Sequence, residues 1–258
     1  MATEFGAIKD SNLLGPELIA IHGVGLTEPQ LQEMATVGAK LVWSPLSNFM
    51  LYGKTANVAA AKRAGLSISL APDWAPSGSK SSLGELKVAD LVNKHALQGL
   101  FSDRELVEMV TRKPADAMGW GQRLGQISEG YLADILVVDD RQADPYRNLI
   151  QAIEDNIQLV AVRGEPLYGD SALLKAARGG DDTEVTAMFA KAKRSKAMTP
   201  NCPGTSLPPM TVAETRTRIQ QGLKFDAAQL AAKLTPEPLA KDFAQCRLPA
   251  PAAGAVAT

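Results

Sequence analysis

Two residues stand out for the chemistry they could support. His22 is one of only two histidines in 258 residues, and it closes the apolar run "ELIAIHG" (17–23). Asp73 closes another, "LSISLAPD" (66–73). An imidazole and a carboxylate that share one edge of a sheet can hold a divalent metal, or take a proton from water and hand it to a leaving amine. Between them a third apolar run, "AKLVWSP", leads into "SPLSN" (44–48), with Ser44, Ser47 and Asn48, and Trp74 directly follows Asp73.

Each residue also has a plainer role open to it. A histidine after an apolar strand can be a hydrogen-bonded structural residue, and an aspartate after Pro72 can be a turn or cap residue. Asn48 can form a turn and Trp74 can anchor a loop. His95, four residues after Leu91 in a helical stretch, reads as a solvent-edge histidine, and Glu85 and Lys87 read as a solvated helix face. Cys202 and Cys246 have no histidine or further cysteine nearby, so they read as thiols rather than as a zinc site or a disulfide framework.

The elements that must position these residues repeat one unit. "ELIAIHG", "AKLVWSP" and "LSISLAPD" are predicted strands. Between the first two, "TEPQLQEMATVG" carries a capping-box pattern (Thr27 with Gln30), has Pro29 in its first turn and ends at Gly38. "NVAAAKRAG" is a second helix, closed by Gly65. Strand, helix and strand with short links predict a parallel sheet, and functional groups in such sheets gather at the carboxyl ends of the strands.

Beyond Asp73 come a polar loop, a helix from about 83 to 97, a capping box at Ser102 and Glu105, and a short helix restarted at Pro114. "ADILVVDD" and "IQLVAVRGEPLYGD" read as short strands, the second bent by a turn at 163–165. The domain reading is barrel-type units over 1–122, short β-sandwich strands over 123–170 and a helical segment over 171–198. A proline-rich linker (199–210), a helical extension (211–247) with helices opening at Thr211 and Asp226, and a tail with no reason to fold (248–258) complete it.

Hydrophobic residues make up 45% and charged residues 21%, with a formal net charge of −1. That balance does not draw a protein to nucleic acid or an acidic membrane, and no apolar run reaches membrane-spanning length. The N-terminal stretch lacks a basic-then-apolar pattern, so no export signal is expected and the expected location is cytoplasmic.

Taken together, "IHG", "LVWSPLSN" with "LYG" shortly after, "LSISLAPDWAPSGS" and the later "GQISEGYLADILVVD" resemble the amidohydrolase superfamily, most closely its cytosine-deaminase and chlorohydrolase-like branch. The resemblance covers residues 1 to about 170. Where the family usually has Gly-Thr-Asp, this sequence has Ala71-Pro72-Asp73. The resemblance implies an α/β fold: the C-terminal part of a (β/α)8 TIM barrel, strands six to eight, followed by short β-sandwich strands and a helical C-terminal extension. It implies that His22 matches a histidine at the end of strand six, either a metal ligand or a group that orients the attacked water and substrate. Asp73 matches the aspartate after strand eight, a metal ligand and proton shuttle. Asn48, with Ser47, matches the Pro-x-Ser-Asn motif, and these two with Trp74 are the candidate substrate-binding residues. The implied cofactor is a divalent metal, zinc or iron.

The family's His-x-His pair and strand-five histidine are absent from these 258 residues. The expectation is therefore that the sequence starts in the helix before strand six, and that His22 and Asp73 supply two of the three protein ligands a catalytic zinc needs. Two readings stay open. One is a metal-dependent hydrolase of non-peptide C–N bonds, deaminase- or amidase-type, acting on a small molecule and completed by a separate N-terminal barrel half. The other is a catalytically inactive truncated remnant or interaction module. Unpaired sheet edges and an uncovered apolar interior lead to an expectation of self-association.

Overall fold

Strong local signals account for the first elements. In the computed structural model, residues 2–179, 184–186, 195–199 and 212–222 are described. They fall into two units, Met1–Gly204 and Thr205–Thr258. In the first unit, helix α1 (Ala2–Asp10) precedes strand β1 (Ile19–Ile21). Helix α2 (Glu28–Thr36) opens with the Thr27–Gln30 capping box, the Thr27 backbone N–H donating to Gln30 Oε1 at 2.9 Å. It buries Leu31 and Met34 on its inner face. Strand β2 (Lys40–Trp43), helix α3 (Pro45–Tyr52), helix α4 (Val58–Arg63) and strand β3 (Ser67–Leu70) follow.

The three strands form a parallel sheet in the order β1-β2-β3, with Ile19 beside Lys40 and Lys40 beside Ser67. Alternation of side chains places Leu41, Trp43, Ile68 and Leu70 in one core with Leu31, Met34, Val58 and Ala61 from the covering helices. The carboxyl ends of all three strands therefore lie at one edge, as the sequence pattern requires.

Helices α5 (Ser82–His95), α6 (Asp103–Glu108) and α7 (Arg112–Ala117) complete this layer, α6 opening with the expected Ser102–Glu105 capping box. A second sheet then begins with β4 (Ile135–Val138). Helix α8 (Pro145–Gln151) packs back against α5 and α6. Arg147 holds it there through Asp90, at 2.9 Å, and Asp103. Strands β5 (Ile157–Val162) and β6 (Glu165–Asp170) form a hairpin whose two-residue turn puts both Arg163 (φ 54°) and Gly164 (φ 82°) in the left-handed region. That is the turn whose twist matches paired strands, so the bend expected at 163–165 divides one run into two antiparallel strands.

The segment 171–198, expected to be helical, is only partly so. Helix α9 spans Ser171–Arg178, but β7 (Glu184–Thr186) and β8 (Lys196–Met198) are strands that extend the sheet to the order β4-β5-β6-β8-β7, antiparallel throughout. Within β8, Lys196 is buried. Its ammonium donates to Asp170 Oδ1 and to the Ile157 carbonyl, each at 2.5 Å. Paired in this way, a lysine fits a strand interior.

In the second unit, helix α10 (Val212–Gly222) matches the helix expected to open at Thr211. Of the expected linker 199–210, only Thr199 is described, its N–H donating to Leu167 O at 2.9 Å; residues 200–210, the helix expected from Asp226, the tail, Cys202 and Cys246 lie outside the described residues. Among the described residues no helix is long and apolar enough to cross a membrane.

Candidate active site

His22 owes its place to a sharp change of backbone at the end of β1. Its N–H still donates to Val42 O at 2.9 Å, continuing the ladder by one bond. Its φ is then 67°, and that of Gly23 is 61°. A non-glycine residue in the left-handed region costs about 1–3 kcal/mol and persists only where its surroundings hold it. Glycine is required next, because a Cβ at position 23 would lie 2.6 Å from Leu41 Cδ1. The "HG" pair thus turns the chain sharply off the sheet and leaves the imidazole facing Asp73.

The second strand end does not carry a loop. Ser44 is the N-cap of α3 and Pro45 opens its first turn, where a fixed φ and a missing N–H cost nothing. Ser47 and Asn48, the latter also open to a turn reading, are therefore helical and fully buried. Beneath them lies Glu85, expected on a solvated face but buried: its Oε1 accepts the Leu46 N–H at 3.0 Å and so satisfies a first-turn donor of α3. Lys87, expected beside it in solvent, is only half-exposed. It donates to the carbonyls of Leu83, at 3.2 Å, and Ala152, and burial lowers its pKa.

Asp73 is gripped from two sides. The Ser47 hydroxyl donates to Oδ2 at 2.5 Å, and the Trp74 N–H donates to Oδ1 at 2.8 Å. These bonds, Ser47 first, hold the Asp73 carboxyl below its ordinary range; partial burial works against them and the nearby His22 works with them. The carboxylate is accordingly ionised at neutral pH.

The structure brings His22 and Asp73 together, with Nε2 and Oδ2 3.5 Å apart and both side chains about a quarter exposed. On its other side, His22 Nδ1 meets the Asn48 amide nitrogen at 3.1 Å. Asn48 Oδ1 accepts from Thr55 Oγ1 at 3.2 Å, and Thr55 in turn accepts from the buried Trp43 Nε1 at 2.7 Å. Tyr52 presents its ring edge-on to His22, centroids 6.2 Å apart. Ser47 and Asn48, both buried, thus bond to Asp73 and His22 respectively. Trp74 serves the pair through its backbone N–H, while its side chain is exposed. His95 is the exposed last residue of α5, as expected.

The pair suits two corners of a metal site. Ligand atoms bound at roughly 2.0–2.1 Å with tetrahedral angles lie about 3.4 Å apart, close to the observed 3.5 Å. A catalytic zinc takes three protein ligands, and among the described residues no group of three His, Cys, Asp or Glu side chains is placed to hold a metal. Among the described residues the site is a matched pair, not a full ligand set.

Sequence reasoning missed Trp43, Thr55 and Glu85. One signal was available: a tryptophan inside a buried strand needs a partner for its N–H, although nothing in the sequence says that the partner is Thr55.

A family model described as "Amidohydrolase family" matches residues 2–167. The chain is 30% identical over 177 residues to a 5-methylthioadenosine/S-adenosylhomocysteine deaminase of Pyrococcus abyssi, an alignment covering 65% of this chain and 41% of that protein. It is 35% identical over 172 residues to 5-methylthioadenosine/S-adenosylhomocysteine deaminase 1 of Archaeoglobus fulgidus, covering 62% and 40%. Among solved structures, an adenosine deaminase from Xanthomonas campestris with bound zinc superposes with a TM-score of 0.59 at 25% identity, covering 67% of this chain and 44% of that one. The chain spans about two fifths of the length of the curated relatives it matches.

Proposed function

The chain belongs to the amidohydrolase family, and from that membership we propose that it carries part of a divalent-metal hydrolase site that breaks a carbon–nitrogen bond of a small planar molecule, with an aminated nitrogen heterocycle as the favoured class. The observation that carries the proposal is the His22–Asp73 pair, 3.5 Å apart at the carboxyl edge of a parallel sheet. The relatives' names, deaminases of adenosine-type molecules, support the substrate class.

His22 and Asp73 are the residues that would hold the metal, zinc first and iron second. Bound there, a divalent metal supplies Lewis acidity to an attacking water. Asp73 then does the proton work. It is ionised, its Oδ1 is fixed by the Trp74 N–H and its Oδ2 by Ser47, so it is positioned to accept a proton from water and return it to the departing amine. Tyr52, half-exposed beside His22, offers an aromatic edge to a planar substrate. The remaining ligands come, in this reading, from a polypeptide segment that completes a (β/α) barrel around β1–β3.

The test is reconstitution. This chain and the N-terminal segment of a deaminase relative, co-purified and loaded with zinc, should release ammonia from an adenosine-type amine. A complex that co-elutes, retains zinc and releases no ammonia from any aminated heterocycle overturns the proposal. A second, non-catalytic reading has its own support, since the described residues hold no complete metal-ligand group. It predicts co-elution without zinc retention or turnover.

A further inference from the structure

We propose that Trp43, Thr55 and Asn48 form a positioning relay for His22, in which the Asn48 side-chain amide decides which imidazole nitrogen carries the proton. The inference rests on the reading of His22 as the working imidazole of the site, but its test reads the ring itself.

The relay starts from a group with only one option. Trp43 is fully buried, and its indole N–H can donate but never accept. At 2.7 Å its partner is Thr55 Oγ1, which therefore accepts. The Thr55 hydroxyl proton points onward to Asn48 Oδ1 at 3.2 Å. That turns the amide oxygen of Asn48 toward Thr55 and its NH2 toward His22. The NH2 group can only donate, so Nδ1 of the imidazole, 3.1 Å away, accepts. In a neutral ring the proton then sits on Nε2, the nitrogen that lies 3.5 Å from Asp73 Oδ2. Trp43 fills one lone pair of Thr55 and leaves its hydroxyl proton free for Asn48, so four side chains in series link a core tryptophan to the imidazole of the site.

The relay has a consequence for metal binding. An imidazole that binds metal through Nε2 must carry its proton on Nδ1 and donate it to an acceptor. Asn48 meets that demand only by turning its amide over, presenting Oδ1 to the ring and NH2 to Thr55, whose oxygen has a second lone pair to accept with. Asn48 is therefore a switch with two settings: one favours a ring protonated on Nε2, the other a ring that binds metal through Nε2. In both settings the buried Asn48 acts through His22, and its role is positioning.

The test is nitrogen-15 NMR of the imidazole in the full chain. Solid-state spectra of sedimented protein are suitable because they do not depend on the size of any assembly. The His95→Gln background leaves His22 as the only histidine. Spectra are taken with chelator and no substrate, at a pH raised until the ring is neutral. Protonated and unprotonated ring nitrogens give well-separated resonances. The expected parent spectrum shows one tautomer, with Nδ1 bare and Nε2 protonated. Thr55→Val keeps the shape but removes the hydroxyl and should give both tautomers, while Thr55→Ser should restore the single one. Asn48→Asp, whose carboxylate can only accept, should move the proton to Nδ1.

A parent ring protonated on Nδ1 overturns the proposal. So does a Thr55→Val spectrum identical to the parent, a Thr55→Ser spectrum that fails to recover, or an Asn48→Asp ring that keeps its proton on Nε2. If Asn48→Asp does not fold by thermal melt, the near-isosteric Thr55 pair decides alone. Because metal and substrate are absent, failure here leaves the hydrolase reading standing, and failure to release ammonia in reconstitution leaves the relay standing.

Discussion

Gly78 lies against the backbone of Asp73. A Cβ added at position 78 would meet Asp73 N at 2.9 Å and its C and Cβ at 3.0 Å. The turn that achieves this is closed by a Ser77 N–H to Trp74 O bond of 2.9 Å, and it leaves room for no side chain. The contacted atoms are mostly backbone and cannot swing aside, so Gly78→Ala must displace either Asp73 or the turn. It is expected to cost about 1–3 kcal/mol, as overpacking does, and to lengthen the bond from the Trp74 N–H. Urea unfolding and faster amide exchange at Trp74 would show this, whereas an unchanged midpoint and exchange rate would mean that the loop does not brace the carboxylate.

Glu85 supports the site from below. Its Oε1 is the acceptor for Leu46 N–H, and the same turn of α3 carries Ser47 and Asn48. Glu85→Ala leaves a part-buried donor without its partner, which costs about 1–3 kcal/mol, plus the loss of packing. Glu85→Gln keeps an acceptor and should lose less. Equal losses for the two variants in chemical denaturation would show that the acceptor is not what matters.

Acid should weaken the fold through Glu105. Although its partial burial pushes its pKa up, the Lys62 ammonium and the N–H and hydroxyl of Ser102 hold it down at about 2. A carboxyl whose folded-state value is depressed stabilises fully above its unfolded value and loses that contribution as pH falls through the folded one. The ordinary value here is 4.5, so stability should fall between about pH 4.5 and 2. Asp73 and Asp90, also held below their ordinary value, act with the same sign. Exposure of a third of the pair screens the effect and keeps it small. Lys62→Met removes the main charged partner, so its acid limb should be shallower when thermal midpoints are followed against pH.

How much of this was legible in the sequence depends on the range of the interaction. Apolar runs ending in His22 and Asp73 mark strand ends because burial and strand period act locally, and the capping boxes at Thr27 and Ser102 were readable for the same reason. Helix α3 was also readable, since Ser44 followed by Pro45 is a helix start, but the motif drew attention to its polar residues instead. The left-handed backbone at His22 was not readable: no local pattern asks for it, and the sheet imposes it. Burial of Glu85 and Lys196 was hidden for a similar reason. Both look like surface charges along the chain, and only a distant helix N-terminus or a neighbouring carboxylate makes their burial tolerable.

The carboxyl-edge surface is expected to be adhesive. Ile21 in edge strand β1 is 64% exposed, and Phe49, Met50, Leu51 and Tyr52 in the last turn of α3 are all exposed. A strand with one edge open among the described residues, together with exposed apolar side chains, favours association. Light scattering should show oligomers that shrink when Ile21→Lys places a charge on the edge. A monodisperse monomer at high concentration would sink this expectation.

The sharpest prediction concerns Asp73 in a reconstituted, zinc-loaded complex. Asp73→Asn keeps the side chain's shape and an oxygen for the Trp74 N–H. The amide NH2 then faces Ser47, whose hydroxyl can accept instead of donate, so the local hydrogen bonds survive. What is lost is the basic carboxylate, and with it the group placed to accept and return a proton. Turnover should fall by about two to four orders of magnitude, while the melting temperature changes little. His22→Asn should impair turnover as well, since it replaces a ring held on both sides by a shorter amide. His95→Gln, at the exposed end of α5, should leave turnover unchanged. Steady-state ammonia release decides the matter. If Asp73→Asn stays within a factor of a few of the parent while His22→Asn does not, the proton is moved by another group, and Asp73 serves only to hold its neighbours in place.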